Sequence, residues 1–267
     1  MDNFYELLHN NQYVIQGKPI HYFKQVSSTN SIAKQMAEEG TPEGAVIISE
    51  EQTSGRGRLN REWSCPYGKG LLMSLILRPR IKAALLPQLT LITAVAVCNT
   101  MVNLANVEAG IKWPNDILVN GKKVCGILAE GKLDKNLVDY TVVGIGINVN
   151  VTKDDFPSSY KAHSTSLLLE TGNSWSRFIL LSEFLSVFDH HYHLFLQDGF
   201  EYVKAKWLGY NITLGRTVKV SKTDAVIEGT AIGINENGGL LVRLADGRVE
   251  EFMAGDVTIG TKQFGHN

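Results

Sequence analysis

Apolar and polar positions along the chain sort into short segments of two different periods. Ile20–Val26 alternates weakly, as a short strand does. Ser27-Ser28-Thr29-Asn30 follows, with hydroxyl and amide side chains of the kind that cap a helix start. The helix predicted there ends near Glu39, with Gly40 and Pro42 beyond it. Ala45–Gln52 opens on Ala45-Val46-Ile47-Ile48, the unbroken apolar run of a buried strand. From Thr53 to Gly70 there is no period, and Gly and Arg are dense, which predicts a long loop. Leu71–Leu77 is again a strand. Pro87–Leu104 is apolar nearly all round and reads as a buried helix. Ile111–Val119 and Lys123–Glu130 flank Asn120-Gly121, a type I′ hairpin signal. Leu137–Val149 is a strand interrupted by Gly144 and Gly146. Ser174–Leu196 is a long amphipathic helix stopped at Asp198-Gly199, and Phe200–Leu208 is helical too.

Near Asn211 the pattern changes. Thr217–Val220, Ala225–Ile234, Gly239–Leu244 and Arg248–Phe252 are short strands, separated by Asn237-Gly238-Gly239 and Asp246-Gly247. Such spacing predicts a small barrel of SH3-like size. The expected fold is therefore α+β: a mixed β-sheet with packed helices over 1–209, then a small β-barrel over 210–267.

Composition narrows the function classes. The 267 residues are 44% hydrophobic and 20% charged, which excludes a largely disordered chain. Lys and Arg number 26 against 27 Asp and Glu, a net charge of -1, so no global basic field marks a nucleic-acid binder. Cys65, Cys98 and Cys125 have neither metal-ligand spacing nor an even count, and the expectation is reduced thiols in the cytoplasm. The start, MDNFYELLHNNQ, lacks the basic and apolar stretches of a signal peptide. Ala83–Ala105 contains Pro87, Gln88 and several Thr, so it reads as a core helix rather than a membrane span.

Several short runs can carry chemistry. In Gly55-Arg56-Gly57-Arg58, glycines let backbone amides approach an anion, and arginines add bidentate donors. The same run suits a solvated loop, and it is neither a P-loop nor a dinucleotide fingerprint. In Lys112-Trp113-Pro114-Asn115-Asp116, proline must sit at an edge or bulge and turns Asn115 and Asp116 outward. Asn115 could contact a nucleotide, and Asp116 could hold Mg²⁺ or fix a neighbouring lysine; an ordinary Asn-Asp turn looks the same. Lys123 leads into a buried strand, where an ammonium can stabilise charge on a phosphoryl or carboxyl oxygen, although many strand ends carry lysine. Gly144-Ile145-Gly146-Ile147-Asn148 leaves one strand face bare for a flat ligand, or is merely a twisted strand. His190, His191 and His193 lack metal spacing and read as a helix-surface cluster.

Taken in order, these runs resemble the biotin protein ligases. The carriers are Ser27-Ser28-Thr29-Asn30, Gly55-Arg56-Gly57-Arg58, Lys112-Trp113-Pro114-Asn115-Asp116, Lys123 before Gly126-Ile127-Leu128, and Gly144-Ile145-Gly146-Ile147-Asn148. The resemblance covers most of the chain and implies a catalytic domain of the class II synthetase type. It implies ATP-dependent activation of biotin as biotinyl-5′-AMP, with ATP and Mg²⁺, and transfer to a lysine of a carboxylase's biotin-carboxyl-carrier domain. It implies biotin contacts from Ser28, Thr29, Asn30, Gln52, Arg56, Gly57, Arg58, Lys123 and Gly126. On the ATP side it implies Arg58, Arg61, Trp63, Asn115, Asp116, Lys123, Gly144, Ile147 and Asn148. Lys123, Arg56 and Arg58 would carry the catalysis, and Asp116 is the candidate for metal. The C-terminal strands add the cations Arg243, Arg248 and Lys262.

Two departures stand out. Leu59 and Asn60 replace the polar residue and third glycine of the family loop, and Asn tolerates positive φ. About twenty residues precede the first strand, fewer than a winged helix-turn-helix needs, so the expectation is a monofunctional ligase without a DNA or membrane partner. A homodimer is left open. The competing readings are a lipoate or octanoate ligase or transferase of the same fold, and a non-catalytic biotin or nucleotide sensor. The polar Ser28, Thr29, Asn30 and Gln52 favour biotin over a lipoyl chain, and Lys123 with the arginines favours an enzyme.

Overall fold

The computed structural model describes residues 3–221 and 226–260. Its helices are α1 (Phe4–Asn10), α2 (Thr29–Glu38), α3 (Leu86–Ala105), α4 (Leu167–Thr171), α5 (Arg177–Asp198) and α6 (Phe200–Tyr210). The first eight strands are β1 (Val14–Ile15), β2 (Lys18–Val26), β3 (Val46–Gln52), β4 (Gly70–Leu77), β5 (Ala109–Lys112), β6 (Asp116–Val119), β7 (Lys122–Asp134) and β8 (Leu137–Asn148). They form one mixed sheet in the order β1-β2-β3-β4-β8-β7-β6-β5. Only β2 and β3 run parallel, because α2 makes the crossover between them; hairpins and longer loops make the rest antiparallel.

The period of two decides what each sheet face receives. From β3 and β4, Val46, Ile48, Leu71, Met73, Leu75 and Leu77 enter the main core with α3, α5 and α6. Ala45, Ile47 and Ile76 enter a smaller core under α2. Helix α3 is long and apolar enough to cross a membrane, yet most of its residues are packed inside this fold. At the start of α5, buried Arg177 pairs with buried Glu50 at 2.5 Å, which ties the helix to β3 two residues before Gln52.

The remaining strands, β9 (Thr217–Ser221), β10 (Val226–Ile234), β11 (Leu240–Arg243), β12 (Val249–Phe252) and β13 (Asp256–Ile259), form an antiparallel sheet in the order β12-β11-β10-β9-β13. A fifth strand, β13, thus joins the four read from the sequence. Ala225 and Lys262 lie outside the described residues. The two parts share bonds: the Trp113 indole N–H donates to Gly238 O at 3.0 Å, and Gln88 Nε2 donates to Glu236 O at 2.7 Å.

Other differences have local causes. The segment read as one strand, Ile111–Val119, is two, β5 and β6, which pair as a hairpin around Trp113-Pro114-Asn115 because proline offers no N–H to a ladder. The Asn120-Gly121 turn is as expected, with φ of 51° and 74°. Helix α1 is too short to show a period, but Phe4 and Leu8 share one buried face. His191 is not on the helix surface. It is buried, with Asn99 Nδ2 2.9 Å and Tyr202 OH 3.2 Å from its ring nitrogens. Burial, helped by His190 and Lys206, pulls its pKa down to about 4. The three cysteines are free and buried.

Candidate active site

The site occupies the part of the second sheet face that α2 leaves uncovered. There β4, β7 and β8 present Ser74, Gly126, Leu128, Gly144, Gly146 and Asn148, and a cavity of about 720 Å³ opens beside them. Side-chain alternation puts the Ile147 side chain on the other face, in the main core, and among the predicted site residues it alone does not line the cavity. The bare face is filled differently from expectation. A Cβ on Gly144 would collide with Asn30 Oδ1, and one on Gly146 or Gly126 would collide with the Trp63 indole. The glycines therefore accommodate the chain's own Asn30 and Trp63, which in turn wall the cavity.

Ser28, Thr29 and Asn30 enter from the start of α2, all buried. Ser28 holds the N-cap position with extended backbone but makes no side-chain capping bond, contrary to the expected role; it lines the cavity instead. The Thr29 backbone N–H donates to Gln52 Oε1 at 2.8 Å. The Thr29 hydroxyl lies 2.8 Å from Ser74 Oγ, which lies 2.6 Å from Asn30 Oδ1.

Lys123 reaches the same face through a β-bulge. The β6–β7 register shifts between Ile117 and Leu118, so Lys123 faces the same side as Gly126, three residues on. Its Nζ lies 2.6 Å from Asp116 Oδ1 and 5.5 Å from the Trp63 ring centre. Asp116 Oδ2 is 3.8 Å from Lys112 Nζ. Both carboxylate oxygens thus face lysines, and no trio of His, Cys, Asp or Glu among the described residues could hold a metal. These residues do not fit a resident Mg²⁺. Of the two roles open to Asp116, the geometry matches fixing a lysine.

The glycine-arginine loop is folded over the cavity mouth. Trp63 N donates to Gly55 O at 2.9 Å and Gly57 N to Arg61 O at 2.7 Å, so the loop closes on itself like a hairpin. Its tip is a 3₁₀ turn, Arg58–Asn60, and the left-handed residue is Leu59, with φ 54°, rather than Asn60. Leu59 is 66% exposed, so its side chain escapes the crowding that disfavours this conformation inside a core. Three arginines anchor the loop to three elements. Arg56 donates to Ser31 Oγ at 2.9 Å, Arg58 to Asn115 Oδ1 at 3.1 Å, and Arg61 pairs with Asp256 of β13. Burial lowers the Arg58 pKa from its ordinary value, against the pull of Asp116 and Asp256. Donating its hydrogen bonds to the Asp256 carboxylate raises that of Arg61. Both ends of the Asn115 amide engage protein: besides holding Arg58, it donates to Ile127 O at 2.9 Å. Asn148 lines the cavity while donating to Thr165 O at 3.0 Å.

The remaining predicted residues, Gly57, Arg61, Trp63 and Asp116 included, also line the cavity. The two described C-terminal cations do not: Arg248 pairs with Asp246 at 2.7 Å, and Arg243 lies off the lining. That sheet reaches the site through an acid, Asp256, which sequence reasoning missed. Ser74 was missed too, although a lone hydroxyl inside the apolar run Leu71–Leu77 was a usable signal.

A loop held by three ion or hydrogen-bond contacts should open and close. Trypsin cleavage after Arg56 or Arg58 is expected to slow several-fold when biotin and ATP are both present. Equal rates with and without them would contradict closure.

Residues 22–148 match the biotin/lipoate A/B protein ligase family, and residues 213–260 match the biotin protein ligase C-terminal domain. The bifunctional ligase/repressor BirA of Bacillus spizizenii is 37% identical over 246 residues, 92% of this chain and 75% of that protein. The biotin–[acetyl-CoA-carboxylase] ligase of Paracoccus denitrificans is 31% identical over 84% of this chain and 94% of its own length. The solved biotin protein ligase of Aquifex aeolicus, in complex with biotin and ATP, superposes with a TM-score of 0.78 at 31% identity, covering 91% of this chain and 99% of that one. This chain belongs to the biotin/lipoate A/B protein ligase family. Its C-terminal match and its relatives set it among the biotin protein ligases of that family.

Proposed function

We propose that this chain is an ATP-dependent biotin ligase that forms biotinyl-5′-AMP and passes the biotinyl group to a lysine of a carboxylase's carrier domain. The observation that carries the reading is one cavity with two unlike ends. Its inner end is an apolar slot closed by Thr29, Asn30 and Gln52, suited to an apolar bicycle with a polar edge. Its mouth gathers Arg56, Arg58, Arg61 and Lys123, suited to a carboxylate and a triphosphate brought together.

In the first half-reaction a biotin carboxylate oxygen attacks the α-phosphorus of ATP, and pyrophosphate leaves. Lys123, held by Asp116, faces the charge that builds on the phosphoryl oxygens. In the second, an acceptor amine attacks the acyl carbon, and AMP leaves. Between the two, the arginine-anchored loop keeps water from the mixed anhydride. Asn115 serves this reading as the post for Arg58, and Trp63 as the wall beside the reacting carboxylate. Magnesium enters only as the ion that accompanies ATP. Buried free thiols suit a reducing cytoplasm.

The test is pyrophosphate release with ATP and either biotin or lipoate. The reading expects release with biotin and at least about 100-fold less with lipoate, because an apolar chain leaves the polar inner end unpaired. Equal release with lipoate would favour the lipoate reading, and release with neither would favour a sensor.

A further inference from the structure

The inner end of the cavity is backed by a chain of hydrogen bonds whose direction is set from outside the cavity. Glu130 of β7 receives Lys34 on Oε1 and the Asn30 Nδ2 donor on Oε2, the latter at 2.7 Å. Burial works to raise the Glu130 pKa, but the bonds from Lys34 and Asn30 outweigh it and hold the carboxyl below its ordinary value. Glu130 is therefore an anion at neutral pH. Asn30 Nδ2 also donates to Leu128 O at 3.3 Å. A carboxylate and a carbonyl can only accept, so the Asn30 amide has one orientation, with Oδ1 turned to Ser74. Ser74 is fully buried and has a single proton. Since Oδ1 cannot donate, that proton goes to Asn30, across 2.6 Å.

The Thr29 hydroxyl, on the other side of Ser74, then receives no proton from it. Its own proton has two protein acceptors in reach, Ser74 Oγ at 2.8 Å and Gln52 Oε1 at 3.1 Å. Lone pairs are left for the cavity. Gln52 Oε1 is already held by the Thr29 backbone N–H, so the NH2 end of Gln52 remains to donate.

We propose that Glu130 and Ser74, neither of which lines the cavity, are positioning residues that fix Thr29 as an acceptor and so select a ligand bringing an N–H to the inner end. The proposal rests on the biotin reading and deepens it. In biotin the N–H groups are confined to the ureido edge, whose C=O suits the Gln52 NH2. A lipoyl group has no N–H to offer.

Glu130→Gln tests the relay. Lys34 keeps the single remaining oxygen, so the new NH2 faces Asn30 and turns its amide over; Ser74 then receives from Asn30 and donates to Thr29. The probes are biotin and its cyclic carbonate analogue, in which ring oxygens replace both ureido N–H groups. Each is titrated calorimetrically into the full chain without ATP. The wild type should prefer biotin by at least about 100-fold, as sites built around a substrate N–H do. Glu130→Gln should narrow that ratio at least tenfold, mostly by weaker biotin binding, with ATP affinity unaltered. Glu130→Asp keeps a carboxylate and should retain the preference. Should Glu130→Gln not fold, Ser74→Ala removes the nearer acceptor of the Thr29 proton, leaves it only the longer bond to Gln52 Oε1, and should narrow the ratio too. A folded variant that discriminates as the wild type does overturns the relay alone. A wild type that binds neither probe overturns the biotin reading and the relay with it.

Discussion

Lys123→Ala is expected to lower biotinyl-adenylate formation by about 10²–10³-fold while the chain still folds, the usual cost of losing one preorganised charge at a transition state. The physical reason is the bulge in β7. It turns Lys123 out of the core and onto the ligand face, where Asp116 holds the ammonium at 2.6 Å beside Gly126 and Trp63. The fold has little to lose. The Lys123 side chain is a third exposed, Asp116 keeps Lys112 at 3.8 Å, and partly exposed ion pairs contribute about 1 kcal/mol or less. Pyrophosphate release under saturating biotin and ATP is the measurement, with the unfolding midpoint as the control. A rate within a few-fold of wild type would remove Lys123 from the chemistry.

Trp113→Ala should destabilise the chain by about 3–5 kcal/mol, the range for emptying a large core site. Trp113 is fully buried where β5 meets the C-terminal sheet. Its backbone N–H donates to Thr213 Oγ1 at 2.9 Å and its indole N–H to Gly238 O at 3.0 Å, so the residue joins the two parts as well as filling space. Trp113→Phe separates the two contributions: most of the volume stays, Gly238 O loses its donor, and the expected loss is about 1–3 kcal/mol. Denaturant unfolding measures both. A loss under about 1 kcal/mol for Trp113→Ala would contradict the packing described.

Lys123 and Trp113 illustrate what is legible in the sequence. Each lies in a run that is weak alone, Lys123 reading like any strand-end lysine, and the order of the runs is what marks them; the apolar runs of β3, β4 and β8 locate the strands that carry the site. The stagger of Gly144 and Gly146 marks a bare face, yet only the fold shows that Asn30 and Trp63 fill it. Ile147 shares a motif with cavity-lining neighbours, yet alternation turns its own side chain into the main core. The bulge that aims Lys123 leaves no composition signal, since one unpaired residue in a ladder depends on the partner strand. Asp256 and Glu130 act across long sequence separations, on Arg61 and on Asn30, and pairings of that kind are set by tertiary packing alone.

The central claim is that one cavity first activates biotin and then delivers it to a protein lysine. The direct measurement is mass spectrometry of a purified biotin-carboxyl-carrier domain after incubation with this chain, biotin and ATP. The account predicts a mass increase of one biotinyl group on a single lysine, dependent on ATP and absent with lipoate in place of biotin. A carrier domain that stays unmodified in the presence of the folded chain, biotin and ATP, or is modified equally with lipoate, would contradict it.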